Sequence, residues 1–388
     1  MEYNVIDGKG IIPDGATEIE DSIFLKRTDL QSIVIPNGVT KIGKFAFYGC
    51  TRLQSIIIHK SVTEIGEHAF SVCTGLQSIE IPDSVTKIDD CAFKDCNSLQ
   101  SIVIPDSVEW MKGSAFSGCN SISSIIVSQN NPKYTSINNC ILTKNRKELL
   151  LCKNDSIPND VTEIGDSAFS GCSDLQSIVI PNSVKYIGDG AFSECTSLKS
   201  IVLPDSITRI GDTAFRGCTN LQSIIIPDSV KCIEPEWWED YDQSYGAFWG
   251  CTGLKSIVLS NSMTKIDKGM FRSCTSLQSI EIPDSVTIID NWAFNDCNSL
   301  QSIEIPSTTR IKNDVFSHCD SLQSITIKTQ DKTPSLSHKK IDSIIQALPK
   351  DLDNPEITLR VPIGCGYAYR HYPAFESKFK TIIANIDV

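Results

Sequence analysis

Sixteen cysteines are the side chains best suited to chemistry in this chain of 388 residues. Thiols at regular spacing can bind zinc or join as disulfides. The sequence contains no Cys-x-x-Cys pair and no histidine at ligand spacing, which argues against zinc. Eleven of the cysteines recur three residues after a phenylalanine: Cys50, Cys73, Cys96, Cys119, Cys172, Cys195, Cys218, Cys251, Cys274, Cys297 and Cys319.

This recurrence places the eleven thiols in one column if the pattern also repeats in space. Stacked Cα–Cβ bonds run parallel, which does not favour a disulfide between neighbours. Cysteine is also a small and readily buried residue. We therefore predict a column of buried, unreactive thiols and no metal site.

Other candidate catalytic groups are dispersed. The five histidines are scattered, and none falls near another in the repeat. No nucleophile elbow, zinc-protease, phosphate-loop or dinucleotide motif occurs. Asp240 and Asp242 could contact calcium, but two acids in one loop are more typical of a solvated surface. We predict that the chain is not an enzyme and uses no metal or cofactor.

Charge and hydropathy exclude two further classes of protein. Lys and Arg number 35 and Asp and Glu 47, a formal charge of −12, which argues against a nucleic-acid partner. No apolar stretch approaches the roughly 20 residues that cross a bilayer. The first residues carry no signal-peptide pattern. Either the chain stays inside the cell or it was trimmed before expression, and the sequence leaves both open.

The elements that position these side chains are repeats. The consensus is L-Q-S-I-x-I-P-x-S-V-x-x-I-G-x-x-A-F-x-x-C-x-x, and most steps are 23 residues. Alternating Ile predicts a short strand with one buried face, and the proline ends it. We expect the glycine to adopt positive φ and the Ala-Phe pair to form one turn of helix or 3-10 helix. The glycines are Gly43, Gly66, Gly165, Gly188 and Gly211. The twelve copies start at Leu30, Leu53, Leu76, Leu99, Ile122, Leu175, Leu198, Leu221, Leu254, Leu277, Leu300 and Leu322.

A single copy cannot bury its own apolar face, but stacked copies can. We therefore predict a repeat solenoid of about twelve 23-residue coils. It would carry a parallel β-sheet on one face and be mainly β, with short helical or 3-10 turns. One phenylalanine per coil should form a buried spine: Phe24, Phe47, Phe70, Phe93, Phe116, Phe169, Phe192, Phe215, Phe248, Phe271, Phe294 and Phe316.

The I-P-x-S-V and I-G-x-x-A-F-x-x-C motifs resemble those of the BspA-like class of leucine-rich repeats, from about residue 12 to residue 328. The resemblance implies a curved leucine-rich-repeat superhelix that binds a partner. It also implies a cell-surface or secreted protein that acts in adhesion to host or neighbouring cells. Fold does not dictate function, so this part is analogy.

The repeat boundaries divide the chain into three parts. Residues 1–23 are predicted to form an N-terminal capping coil, residues 24–328 the solenoid, and residues 329–388 a C-terminal cap. The cap should hold a short helix at 338–347 and a last strand at 357–362. An insertion at about 129–158 has two apolar runs around a polar turn, which indicates a hairpin or an aberrant coil packed into the solenoid.

A second insertion, at about 234–245, carries four aromatic residues among five acids: Trp237, Trp238, Tyr241 and Tyr245 are the aromatics. Trp and Tyr are enriched at the centres of binding interfaces. The rings could equally fold back onto the coil and fill a gap. Both interpretations stay open.

The outward face of the predicted sheet, which we expect to be concave, is set by the second and fifth repeat positions. The fifth position is apolar in six consecutive copies: Val103, Ile126, Val179, Val202, Ile225 and Val258. Glu80, Glu281 and Glu304 occupy it on either side. β-branched residues favour strands even when exposed, so the stripe could reflect propensity alone. The flanking glutamates favour a binding surface.

The sequence thus predicts a non-enzymatic protein-interaction or adhesion module. Its partner would be a protein of a host or neighbouring cell surface, or a glycan, and the chain itself would be a monomer. The alternative is a structural spacer or surface-layer scaffold with no specific ligand.

Overall fold

A computed structural model describes residues 3–231, 233, 246–328, 358–360 and 381–383. The chain forms two compact units, one of residues 1–175 with 191–195 and one of residues 176–190 with 196–388. Each unit is a stack of coils with parallel strands and almost no helix, which confirms the predicted repeat solenoid.

Most coils contribute two strands. The longer one, called here the front strand, begins at the repeat serine. In the first unit the front strands are Ser32–Ile35, Ser55–Ile58, Ser101–Ile104 and Ser124–Val127. In the second unit they are Ser177–Val179, Ser200–Val202, Ser223–Ile225, Ser256–Val258, Ser279–Glu281, Ser302–Pro306 and Ser324–Lys328. Neighbouring front strands of the same sheet pair in parallel and in register, as Ser32 does with Ser55.

The shorter strand, called here the flank strand, ends just before the glycine position, at the repeat isoleucine or, in one coil, at Met111. In the first unit the flank strands are Glu18–Ile19, Lys41–Ile42, Glu64–Ile65, Lys87–Ile88, Trp110–Met111 and Glu163–Ile164. In the second unit they are Tyr186–Ile187, Arg209–Ile210, Lys265–Ile266, Ile288–Ile289 and Arg310–Ile311.

The phenylalanine spine is confirmed. Phe47 and Phe70 are completely buried, and their ring centroids are 5.1 Å apart with an interplanar angle of 4°. In the second unit, Phe248 and Phe271 stack at 5.6 Å. Buried aromatic area of this kind is a large share of a core's stability.

The turn around the Ala-Phe pair differs from the prediction. Within the described residues, the single helical segment is the 3-10 helix Gly113–Phe116. Other copies form hydrogen-bonded turns, in which the N–H of Tyr48 donates to the oxygen of Phe45 over 3.1 Å. Phe45 adopts a φ of 56° and Gly49 one of 71°. Two left-handed residues per copy bend the chain too sharply for helix to continue.

The prediction of positive φ at the five repeat glycines was wrong, because none of them adopts it. Their role is close approach between coils. A Cβ added to Gly66 would lie 2.8 Å from the oxygen of Ile42 and 2.9 Å from the carbonyl carbon of Gly43. The preceding coil leaves little room for a side chain at Gly66, although Asp89 occupies the equivalent position of the next coil.

Hydrogen bonds join equivalent residues of successive coils. The hydroxyl of Thr63 donates to the oxygen of Thr40 over 3.1 Å, and that of Thr86 donates to the oxygen of Thr63 over 3.2 Å. Both bonds span 23 residues. The hydroxyl of Thr63 therefore donates to the preceding coil, and its backbone oxygen accepts the equivalent hydrogen bond from the following coil.

The first unit begins with an antiparallel hairpin of strands Asn4–Ile6 and Lys9–Ile11. The second strand of the hairpin pairs in parallel with the first front strand. In the second unit, Thr358–Arg360 pairs in parallel with Ser324–Lys328. Thr381–Ile383 pairs in parallel with the other side of Thr358–Arg360. The helix predicted at 338–347 lies outside the described residues.

The insertion at 129–158 forms a three-stranded antiparallel meander: Tyr134–Ile137, Cys140–Thr143 and Glu148–Cys152. The prediction that it packs into the solenoid is confirmed, since Ile141 is completely buried and Leu151 nearly so. Asn131, also completely buried, donates its amide hydrogens to the backbone oxygens of Pro105 and Val108 over 2.7 and 3.0 Å. These bonds fasten the insertion to the neighbouring coil.

Candidate functional site

The fifth-position side chains of the second unit form an exposed apolar row. Val179 and Val202 are 76% and 77% exposed, and Ile225 and Val258 are 65% and 57% exposed. They lie on four hydrogen-bonded strands, with Val179 opposite Val202 and Ile225 opposite Val258. We call these four residues the apolar row.

Val103 and Ile126 are about half exposed, but they belong to a separate two-stranded sheet of the first unit. The free edge of that sheet is capped by the insertion. The N–H of Val127 donates to the Ser136 hydroxyl over 2.9 Å, and the N–H of Ile125 donates to the Asn139 side-chain oxygen over 3.3 Å. The six apolar positions are therefore divided between two sheets.

The structure adds the third repeat position to the exposed second and fifth positions. The third-position serines are exposed together with the fifth position, whereas the second position lies just before each front strand. In the second unit the exposed serines of the apolar row's strands are Ser177, Ser200, Ser223 and Ser256. Period-2 alternation from the fifth position would have identified these serines in the sequence.

Two of the three predicted acidic residues are partly neutralised. Glu281 and Glu304 are register partners on neighbouring front strands. The ammonium of Lys328 lies 3.5 Å from a carboxylate oxygen of Glu281 and 2.8 Å from one of Glu304. The hydrogen bond to Glu304 raises the pKa of Lys328. Glu80 is exposed, in a segment of the first unit that forms no strand.

Two lysines flank the apolar row. Lys199 and Lys255 occupy the exposed second position in alternate coils, where the neighbouring copies have Gln176 and Gln222. The ammonium of Lys199 lies 3.2 Å from the side-chain oxygen of Gln176. Neither lysine forms an ion pair with a residue that the structure describes.

Trp237, Trp238, Tyr241 and Tyr245 lie outside the described residues, so their role in binding stays a prediction. Just after this insertion, the ring of Trp249 contacts two guanidinium groups. The guanidinium carbons (Cζ) of Arg216 and Arg272 lie 4.8 and 5.7 Å from the centroid of the Trp249 ring. Such contacts stabilise a coil flank.

The cysteine column is largely as predicted. Ten of the eleven thiols are buried, and all eleven are free. Sγ of Cys50 lies 3.0 Å from the oxygen of Phe24, and Sγ of Cys274 lies 3.2 Å from the oxygen of Phe248. Burial raises the pKa of Cys50 to about 12 and that of Cys274 well above its usual value. Thiols that stay protonated are poor nucleophiles and poor metal ligands.

Cys172 is the exception in the column because it is only partly buried. Its Sγ lies 3.8 Å from the backbone oxygen of Cys152 and 3.7 Å from the ammonium of Lys153. Burial raises the pKa of this thiol, and the nearby ammonium opposes that effect.

The sequence analysis missed a disulfide between Cys140 and Cys152. The two residues are register partners on adjacent antiparallel strands of the insertion. The available signal was their position in the two apolar runs on either side of the polar turn at 144–147. In a hairpin, such positions face each other.

Acidic groups cluster in the second unit around Asp212. Burial raises the pKa of Asp212 to about 7, and the charges of Asp189 and Asp267 add to this effect. Within the described part of the chain, no group of three or more His, Cys, Asp or Glu side chains could hold a metal ion. In the same residues, no helix is long and apolar enough to cross a membrane.

Comparison with known proteins defines the class of protein. A family model described as a BspA-type leucine-rich repeat region, in six copies, matches residues 17–147, 148–242 and 243–341. The chain belongs to this family. A search of curated proteins finds no match.

Several solved structures are similar. A leucine-rich cell surface protein from Faecalibacterium prausnitzii A2-165 is 30% identical, with a TM-score of 0.55, and the match covers 85% of this chain and 86% of that one. A leucine-rich repeat protein from Bacteroides ovatus is 25% identical over 98% of this chain and 97% of that one, with a TM-score of 0.54. The pneumococcal vaccine antigen PcpA, at 20% identity and a TM-score of 0.51, covers 92% of this chain and 80% of its own, and shows the fold alone.

Proposed function

We propose that the chain is a non-enzymatic adhesion module of a cell-surface or secreted protein, and that it binds a protein partner through the apolar row. The observation that carries the proposal is the run of four apolar side chains, each more than half exposed, on four paired strands. Contiguous apolar patches are uncommon on monomeric proteins and are typical of interaction surfaces.

Strand propensity alone does not require apolar side chains here. Threonine is also β-branched, and the same repeat position is threonine at Thr326 and glutamate at Glu281 and Glu304. The scaffold therefore accepts polar residues at this position. Eight of the twelve copies are nevertheless apolar at this position, and the apolar row differs from the other four because its residues lie on one four-stranded sheet, where a single partner surface can cover them together.

Two observations support an extracellular location. The protein from F. prausnitzii, 30% identical to this chain, is a leucine-rich cell surface protein. The Cys140–Cys152 disulfide fits an oxidising compartment, where disulfides form and persist.

The test compares three immobilised proteins: the wild type, the double variant Val202→Glu with Ile225→Glu, and the matched control Val34→Glu with Ile57→Glu. The control makes the same change at exposed front-strand positions of the first unit, where Val34 and Ile57 are register partners. Extracts of bacterial and host-cell surfaces provide candidate partners, which are identified by mass spectrometry and then purified.

We expect the purified partner to bind the Val202/Ile225 variant at least about tenfold more weakly, because two buried carboxylates would lack partners. The control should bind as the wild type does. Unchanged affinity in both variants would remove the apolar row as the site. Failure of every protein and glycan fraction to bind the wild type would favour the spacer or scaffold function. Light scattering of the wild type should give a monomer.

A further inference from the structure

The apolar row runs beside two further exposed columns of side chains in the same four coils, and we call the three columns together the groove. Along each of the four strands, the exposed serine lies between the fifth-position side chain and the second-position side chain. Because serine is the smallest of the three side chains, we call the serine column the floor of the groove and the two outer columns its walls. The apolar wall consists of Val179, Val202, Ile225 and Val258, and the polar wall consists of Gln176, Lys199, Gln222 and Lys255. The groove is therefore apolar on one side and polar to basic on the other.

The spacing of the walls is close to that of an α-helix. Adjacent strands lie about 4.8 Å apart, so an object crossing them meets one apolar side chain every 4.8 Å or so. A helix presents one residue of a given face per turn, about every 5.4 Å. Over three strand steps the two differ by roughly 2 Å, which side-chain rotation absorbs. An extended segment repeats about every 6.8 Å and loses register by the second step.

The positively charged side chains of the polar wall occur in every second coil. Lys199 and Lys255 belong to alternate strands, about 9.6 Å apart, which is close to two helical turns. Neither is ion-paired with a described residue. The carboxylates of Glu281 and Glu304 are drawn to Lys328. The polar wall thus offers two positive charges that a partner with acids at i and i+7 could meet.

Building on the proposed function, we infer that the groove binds an amphipathic helix of the partner protein that crosses the four strands. One edge of this helix carries an apolar residue at each turn and lies on the apolar row. The other edge carries carboxylates that face Lys199 and Lys255. Burial along the apolar row supplies affinity, and the lysines select an acidic over a basic helix.

The test uses two synthetic 18-residue helical peptides with fluorescent labels. Both have Leu at i, i+4, i+7 and i+11, and they differ only along the adjacent edge, which is Glu in one and Lys in the other. Binding to the full chain is followed by fluorescence anisotropy at low and physiological salt. The protein variants are Lys199→Glu with Lys255→Glu, and the control Lys185→Glu, an exposed lysine of the second unit away from the front strands.

We expect the wild type to bind the Glu peptide at least tenfold more tightly than the Lys peptide, with the ratio falling as salt screens the charges. The double variant should reverse the preference, and the Lys185→Glu protein should behave as the wild type. Equal binding of both peptides, an unchanged preference in the double variant, or no saturable binding of either would overturn the inference.

These outcomes are separable from failure of the proposed function. A captured partner that loses affinity with Val202→Glu and Ile225→Glu, but not with the two lysine changes, leaves the apolar row as the site and rules out the acidic helix. A partner sensitive to neither pair of changes rules out both.

Discussion

Sγ of Cys73 lies 3.1 Å from the backbone oxygen of Phe47, one coil earlier in the stack. The thiol of each such cysteine therefore donates to the residue that carries the spine of the previous coil. Its own phenylalanine, Phe70, offers its oxygen to Cys96 over 3.2 Å. Spine and column are thus linked through the backbone, and replacing Cys73 removes a thiol donor from the carbonyl oxygen of Phe47.

The column thiols should resist modification in the folded protein. Burial raises the pKa values of Cys50 and Cys319 to about 12, so almost no thiolate exists at pH 8. We expect maleimide to label Cys172 first among the column residues, because it alone is partly exposed. Mass spectrometry of peptides after short exposures checks the order, and a sample in denaturant gives the full count. Rapid labelling of most of the column before unfolding would contradict burial.

Truncating one ring of the spine should be costly. Phe70→Ala removes a completely buried ring that stacks on Phe47 and Phe93 at 5.1 and 5.2 Å. We expect the free energy of unfolding to fall by about 3–5 kcal/mol. Urea denaturation followed by circular dichroism measures it. Ile57→Ala, at an exposed position, is the control and should change stability by less than about 0.5 kcal/mol.

A single methyl group at a repeat glycine should also destabilise the fold. Gly66→Ala would place Cβ within 3 Å of two backbone atoms of the preceding coil. Because backbone cannot move aside as a flexible side chain can, we expect a loss of about 1–3 kcal/mol. The same urea titration applies, and a neutral result would show that the coils can separate locally.

Stability should depend on pH through Asp212. Its pKa is about 7 in the folded chain, compared with 3.8 for an ordinary aspartate, so the folded state binds the proton more tightly. The contribution of Asp212 to stability is therefore greatest below about pH 4, and it falls as pH rises from 4 to 7. At pH 8 we expect the free energy of unfolding of Asp212→Asn to be about 2 kcal/mol higher than that of the wild type.

The difference in stability between the wild type and Asp212→Asn should vanish near pH 4, where Asp212 is protonated in the folded protein. Thermal melts from pH 4 to 8 test this. Asp205→Asn, at an exposed position, serves as the matched change and should show no such trend. A difference between wild type and Asp212→Asn that is constant across the range would rule out titration of Asp212.

The disulfide of the insertion should form in an oxidising solution. Non-reducing peptide mapping should give Cys140 and Cys152 in one cross-linked fragment. Replacing both by serine should lower stability by about 2–3 kcal/mol, because the cross-link closes a loop in the unfolded chain. Recovery of Cys140 and Cys152 as free thiols after air oxidation would contradict the disulfide.

Much of the fold could be predicted because its information is repeated. Each copy of the pattern places one Phe and one Cys in the same environment, so Phe47 and Cys73 are specified many times over. The glycine was misassigned for a different reason. The crowding at Gly66 comes from the distance between coils, which no single repeat encodes.

The candidate site was predicted in part. Exposure of Val179 and Val202 follows from strand alternation alone. The division of the six apolar positions after Ile126 does not, because it depends on side chains of the insertion, Ser136 and Asn139, that accept hydrogen bonds from the backbone N–H groups of Val127 and Ile125. A non-repeated insertion occurs once and gives no second copy from which its strands could be inferred.

The threonine hydrogen bonds have a consequence for how such genes can change. A deletion of 23 residues, from Lys41 to Thr63, would join Thr40 to Glu64 and leave Thr86 facing Thr40, with the same chemistry on both sides of the junction. Recombination between neighbouring copies can therefore shorten or lengthen the chain in whole coils, wherever the break falls within the repeat. The number of coils can thereby change one repeat at a time without any new kind of contact between them.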